Sequence, residues 1–212
     1  MPDTPEINEY GGYAVFEHFT SAEEIFSYKL GAALTMEHYS LEMLGDLEQT
    51  AVRRELKDLF AEHAHETRQQ IENLKQCFML LGEDVNDSPS PMTKGLAKEA
   101  KSTTVTTDES LVDAVVLAGA LETEHYETAF YETLIAHAQA RGAADVVALL
   151  RQNLEQEMAA IVKIKEVTKA IARDGIAILD MRAAAGEPPA GDDETGHFTT
   201  TGIPPFVPPS SF

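Results

Sequence analysis

Apolar positions recur with the period of an α-helix over most of this chain. From Ser21 to about Thr50, Leu30, Ala33, Leu34, Leu41 and Leu44 return in three- and four-residue steps, which places them on one helical stripe. Ser21 stands where an N-cap is wanted, and Glu24 occupies the return position of a capping box. After a short break near residues 49–53, a second helix is expected over 51–81. Its stripe runs Leu56, Leu59, Phe60, then His63 and Thr67, then Leu74, Cys77, Phe78 and Leu81. Residues 82–109 form a long connection that opens with EDVNDSPSP, holds a short helix over 92–100, and carries a second capping signal in Thr106 and Glu109. A third helix is expected over 109–140 and a fourth over 143–171, ending before Gly175, with 176–185 as a short fifth helix.

Helices of around 30 residues are each roughly 45 Å long. A crossover as long as 82–109 can carry the chain from one end of a bundle to the other and so join two helical hairpins. The expected fold is therefore all-α, an antiparallel four-helix bundle over residues 21–174. Residues 1–20 read as an irregular arm that Tyr13, Phe16 and Phe19 could anchor. Residues 175–212 read as a short helix followed by an extended Pro- and Gly-rich tail. Phe206, Val207 and Phe212 are the tail's candidates for docking, on the same oligomer or on a separate protein partner. A bland flexible tail is the simpler reading.

The apolar stripes are interrupted by acids. Glu37 lies in line with Leu30, Ala33, Leu34, Leu41 and Leu44, and Glu124 repeats the pattern with Leu117, Leu121, Thr128, Tyr131 and Ile135; each acid opens an EHY triplet. Glu157 sits in the line Val147, Leu150, Leu154, Ile161 and Ile164. In the second helix His63 and Glu66 are three apart and can address one point on a facing helix. Glu62 and His65 share that spacing but face the polar side with Arg54, Gln69 and Glu72. Each helix thus contributes one interior acid: Glu37, Glu66, Glu124 and Glu157.

An ionised carboxylate in a helix-packed core must be neutralised by a proton, a basic partner or a metal. Carboxylates from several helices, with His63 as nitrogen donor, could hold two cations a few ångströms apart, and the mixed oxygen and nitrogen set suits iron or manganese. The alternatives are a buried hydrogen-bond network of His, Gln, Tyr and protonated Glu, or ordinary surface acids. Glu127 is either a further ligand or a support for His125. His38 and His125 each follow their acids by one residue, a step of about 100° around the helix that turns them toward neighbours. Tyr39, Tyr126 and Tyr131 are candidates to donate hydrogen bonds or to assist redox steps, with packing as the plainer role of each.

Composition narrows the partners. Against 16 basic residues stand 36 acidic ones, a formal charge of −20, which disfavours nucleic acid and anionic membrane and can concentrate cations. The opening residues show no basic stretch followed by an apolar one, and no run is long and apolar enough to span a membrane, so the cytoplasm is the expected compartment. Cys77, the single cysteine, excludes an intrachain disulfide and a Cys-rich zinc site, and is expected to fill space in the second helix.

Phe60, His63, Glu66, Thr67, Gln70, Asn73 and Leu74, with the ending Leu80, Leu81 and Gly82, form one recognisable pattern. Glu124, His125, Tyr126, Glu127, Ala129 and Tyr131 form a second, and Leu154, Glu155, Gln156 and Glu157 a third. With these motifs residues 22–172 resemble the YciE/YciF family of ferritin-like proteins. The resemblance implies a ferritin-like antiparallel bundle, a di-iron site and an association with stress responses. It supports His63, Glu66, Glu124, Glu127 and Glu157 as centre residues, with Glu37 supplied by the first helix. The chain departs from the commoner ferritin arrangement in two places. Its core-facing pair is His-x-x-Glu rather than Glu-x-x-His, and Ala160 and Ile161 stand where a histidine would follow Glu157.

The leading expectation is binding of two iron ions and their oxidation by oxygen or peroxide, with manganese-dependent peroxide disproportionation as a second chemistry. An oxygenase acting on an organic substrate would need an accessible apolar pocket. A non-catalytic metal-binding or stress-associated structural protein, and an interaction module working through the tail, are the readings outside enzymology. Long bundle helices often expose a further apolar stripe, so a homodimer is expected.

Overall fold

The computed structural model describes residues 18–184, with side chains through 174. Among these residues it contains five α-helices and no β-strand: α1 (Ala22–Thr50), α2 (Arg54–Leu81), α3 (Pro91–Val105), α4 (Val112–Ala140) and α5 (Ala144–Ala184). The hairpins α1/α2 and α4/α5 form the antiparallel four-helix bundle. α3 lies within the crossover and packs on α1 and α4. The bundle belongs to a unit that ends at Ile171, and a second unit begins at Ala172.

Local signals explain where the helices begin and end. Ser21 Oγ accepts a hydrogen bond from Glu24 N–H at 3.1 Å, as an N-cap should. The Glu24 carboxylate reaches back to the start of the helix and accepts from Thr20 N–H at 2.7 Å. The second capping signal is not used. A single 3-10 turn (Glu109–Leu111) precedes α4, and Thr106 Oγ1 donates backward to the carbonyls of Ser102 and Thr103. Gly82 and Gly142 end α2 and α4 with φ +71°. At each the following residue donates five residues back, Glu83 N–H to Phe78 O and Ala143 N–H to Ala138 O, a left-handed stop that favours glycine.

The short helix expected over 176–185 is no separate element, because α5 continues through Gly175 to Ala184. Nothing at Gly175 removes a backbone donor, and one glycine weakens a helix without breaking it. The arm and tail lie largely outside the described residues, as do Tyr13, Phe16, Phe206, Val207 and Phe212. Phe19 is described, and its ring packs 5.0 Å from that of Tyr28.

Two apolar clusters hold the bundle. One gathers Phe26, Leu30, Leu34, Leu74, Phe78 and Leu134 with Leu150. The other gathers Leu44, Leu47, Leu56, Phe60, Val116 and Leu117 with Ile164. The corner between α1 and α2 is tied from α4, where the Asp113 carboxylate accepts from Val52 N–H at 2.7 Å and Arg53 N–H at 3.2 Å. Among the described residues no helix is long and apolar enough to cross a membrane. Cys77 is buried, and burial pushes its thiol up to about 12, so it stays protonated and serves as packing.

Gly31 is where α1 meets the crossover. A Cβ there would lie 1.6 Å from Asn86 Oδ1 and 3.0 Å from Ser88 N, and Asn86 donates to Ser27 Oγ at 3.3 Å. Gly31→Ala should therefore lower stability by about 1–3 kcal/mol, despite alanine's better helix propensity. Gly45→Ala, in the same helix with nothing within 4 Å of the added carbon, should raise it by up to about 1 kcal/mol. Urea denaturation of the two variants checks this, and a gain at Gly31 would show that the crossover does not press on α1.

Candidate metal centre

Between the two apolar clusters the helices turn polar residues inward. His63 of α2, Glu124 and Glu127 of α4, and Glu157 of α5 are all buried, and one donor atom from each lies within 4.8 Å of the others. Helical geometry makes this convergence: Glu124 and Glu127, three apart, share a face of α4, and His63 and Glu157 meet that face from neighbouring helices. His63 Nε2 is 3.1 Å from Glu124 Oε1 and 3.4 Å from Glu157 Oε2. These are charge contacts without hydrogen-bond alignment, for Nε2 and both carboxylates remain without hydrogen-bond partners. On the other side of the ring, Nδ1 is 3.0 Å from Glu66 Oε2. A Nδ1–H donated to Glu66 leaves the Nε2 lone pair facing the carboxylates, which is stable only with a proton or a cation between them.

Glu37 of α1 adjoins the cluster. Its Oε1 accepts a hydrogen bond from Tyr131 Oη, and its Oε2 is buried without a partner. Tyr131 Oη in turn accepts from Asn153 Nδ2 at 3.0 Å. Asn153 also donates to Gln70 O at 3.2 Å and accepts from Asn73 Nδ2 at 2.7 Å. One hydrogen-bonded chain thus links all four bundle helices beside the acids.

The electrostatics follow from burial. The Glu37 carboxyl is held well above the usual range by loss of solvent and then by the Glu157 charge, which the Tyr131 hydrogen bond and His63 only partly offset. Glu127 is raised by burial and by Glu37, Glu157 and Glu124. Glu157 rises to about 8, chiefly through burial, against the opposing His63 contact. Burial alone would lower His63, but the charge of Glu124 and the contacts with Glu124, Glu157 and Glu66 outweigh it and raise the imidazolium well above 6.5. Tyr131 is raised by burial and by the charges of Glu37 and Glu157, so the phenol remains a donor. Among the described residues seven carboxylate oxygens of Glu37, Glu124, Glu127 and Glu157 have no hydrogen-bond partner. Hard oxygen donors with one imidazole, unsatisfied by the protein itself, fit a cation, and the cluster can bind a metal ion.

Residues 21–177 match the domain of unknown function DUF892. The chain belongs to the DUF892 family. It is 29% identical over 150 residues to Protein YciF of Escherichia coli K12, across 68% of this chain and 89% of that protein. The crystal structure of the E. coli stress protein YciF superposes with a TM-score of 0.70 at 25% identity, covering 73% of this chain and 99% of that one. YcfI from Rhodopseudomonas palustris superposes with a TM-score of 0.68 at 34% identity, covering 71% and 96%.

Within this DUF892 bundle the other candidates lie apart from the cluster. His38 and His125 are exposed rather than turned toward neighbours, because the step of about 100° carries them past the helix contacts to solvent, and Glu62 and His65 are exposed as well. Tyr39 lines a surface groove between α1 and α3, and Tyr126 packs on Phe130 with ring centres 5.8 Å apart. Of the three tyrosines considered, Tyr131 is the one hydrogen-bonded to a centre acid. Glu66 lies outside the group of four and contacts the His63 ring instead. Asn153 escaped sequence reasoning, although its register with Leu150 and Glu157 offered the signal.

Raised pKa values set the sign of a pH dependence in the metal-stripped protein. The Glu157 carboxyl binds its proton with a pKa of about 8 when folded, against about 4.3 in an unfolded chain. Its contribution is complete below the unfolded value and is lost as pH rises through the folded one. His63 acts in the same direction, and Glu66, held low chiefly by its hydrogen bond to His63, acts in the opposite one. The urea midpoint should fall between about pH 5 and about pH 9, and Glu157→Gln should flatten that fall. Identical pH profiles for the two proteins would contradict the assignment.

Proposed function

We propose that this centre holds two iron ions and that the protein oxidises them with oxygen or peroxide in stress protection. The observation that carries the reading is the surplus of buried acid. Four carboxylates and one imidazole nitrogen present eight donor atoms without hydrogen-bond partners. One divalent cation would balance two of the four acids and leave the others to hold protons, whereas two would balance all four. Iron, when bound, supplies one-electron chemistry toward oxygen or peroxide.

The chain's own residues would do the rest. Glu66 holds the imidazole so that Nε2 is available as donor. Glu124, Glu127 and Glu157 supply oxygens from two helices, and Glu37 supplies its free Oε2 from a third. Tyr131 fixes the Glu37 carboxylate through its phenolic proton and is the tyrosine placed to pass a proton or electron to the centre. The cavity beside His63 and Glu124 measures about 10 Å³, room for roughly one water molecule. That size leaves no room for an organic substrate. Likeness to the E. coli stress protein YciF supports the stress-related role. Manganese fits the same donors, so both metals belong in the test.

Anaerobic titration with ferrous and with manganous ion should reach an end point of about two per chain. Glu124→Ala should lower that end point, and Glu132→Ala, an exposed acid on the same helix, should leave it unchanged. A single ion per chain, or equal binding by the two variants, would overturn the two-metal reading.

A further inference from the structure

The four-donor cluster is sealed from solvent, so a cation needs a way in. The small cavity between α2 and α5 ends inward at His63 and Glu124 and is walled by Phe60, Ala160 and Ile164, with Glu66 and Lys163 also lining it. Both His63 and Glu124 line this space and carry buried atoms without hydrogen-bond partners. Alanine at position 160 leaves room beside the imidazole that a longer side chain would fill.

Glu66 bridges inside and outside. One oxygen contacts His63 Nδ1 at 3.0 Å and the other lies 3.9 Å from Lys163 Nζ. Its side chain is 23% exposed, whereas those of Glu124 and Glu157 are fully buried. Lys163 Nζ is also 3.1 Å from Glu62 Oε1, and these two side chains are 39% and 61% exposed. We propose that the cleft between α2 and α5 is the route by which a divalent cation reaches the buried centre, with Lys163 as its gate and Glu62 and Glu66 as the outer carboxylates that receive the ion. The proposal rests on the metal-binding reading of the centre.

In the closed arrangement the ammonium stands beside the cleft and repels a cation, while the space behind it admits about one water. Partly exposed ion pairs hold weakly, and the lysine stem is flexible, so the gate opens at small cost. With Lys163 swung away, Glu62 and Glu66 replace part of the ion's hydration shell and deliver it to His63 and Glu124. Closed again, the lysine neutralises the acids at the mouth.

The test is anaerobic stopped-flow loading of the full chain with cobaltous ion, read from the absorbance of the bound metal. Lys163→Ala should load about tenfold faster than the unsubstituted protein and reach the same end point. Lys165→Ala, which removes an equal charge at an exposed position of α5, should load at the original rate. Glu62→Gln added to Lys163→Ala should remove part of the gain. Equal rates for Lys163→Ala and the unsubstituted protein, or an equal gain in Lys165→Ala, would overturn the gate while leaving the metal centre intact. Failure of the unsubstituted protein to bind the ion at equilibrium would overturn both.

Discussion

Mutual repulsion among carboxylates removed from water is the constraint around which this bundle is built. Glu37, Glu124, Glu127 and Glu157 are all fully buried, and a single imidazole faces them. Each loses hydration and each raises the cost of ionising its neighbours. Such a centre survives only where other parts of the structure hold the helices together. Here the two apolar clusters do so, one on either side of the polar layer. Long helices are what make the arrangement affordable in a chain of this size, since each can dedicate a turn or two to polar residues and still bury apolar turns above and below.

Preorganisation is the second theme. A flexible set of acids would collapse onto protons or water, but these side chains are held from behind. Glu66 turns the His63 ring, Tyr131 holds Glu37, and Asn153 ties Tyr131 to Asn73 and the backbone of Gln70. The supporting contacts come from different helices, so ligand geometry and helix packing depend on one another. Outer partners of this kind determine how well a site holds its ion. The centre also has an asymmetric environment, with a small cavity on the side of Glu66 and Lys163.

Membership of the DUF892 family establishes the bundle and leaves the reaction to be argued from the site. The motif order His63-x-x-Glu66 gives the glutamate a grip on the ring rather than a place among the four converging donors. Ala160, one turn beyond Glu157, leaves space where another ligand could have projected. Both departures from the commoner ferritin arrangement thus act in one region, the face of the centre toward the α2/α5 cleft.

Periodicity by itself determined the helices and most of the interior acids. Glu37, Glu124 and Glu157 occupy positions in apolar stripes, and a stripe is a local property of a 3.6-residue repeat that needs no knowledge of neighbours. The same reasoning took His38 and His125 off the acids' face, but only helix packing decided that they meet solvent rather than a neighbour. Local pattern could not rank Tyr39, Tyr126 and Tyr131, because each lies near an acid in sequence and only helix packing brings the Tyr131 hydroxyl to Glu37. Nor could it assign Glu66, whose partner is decided by the ring rotation of His63, or find Asn153, whose partners lie 22 and 80 residues away. Gly175 reads as a stop in isolation, yet α5 runs through it to Ala184. Spacing along a helix places a side chain on a face, and the depth, partner and charge it meets there are properties of the helices that pack against it.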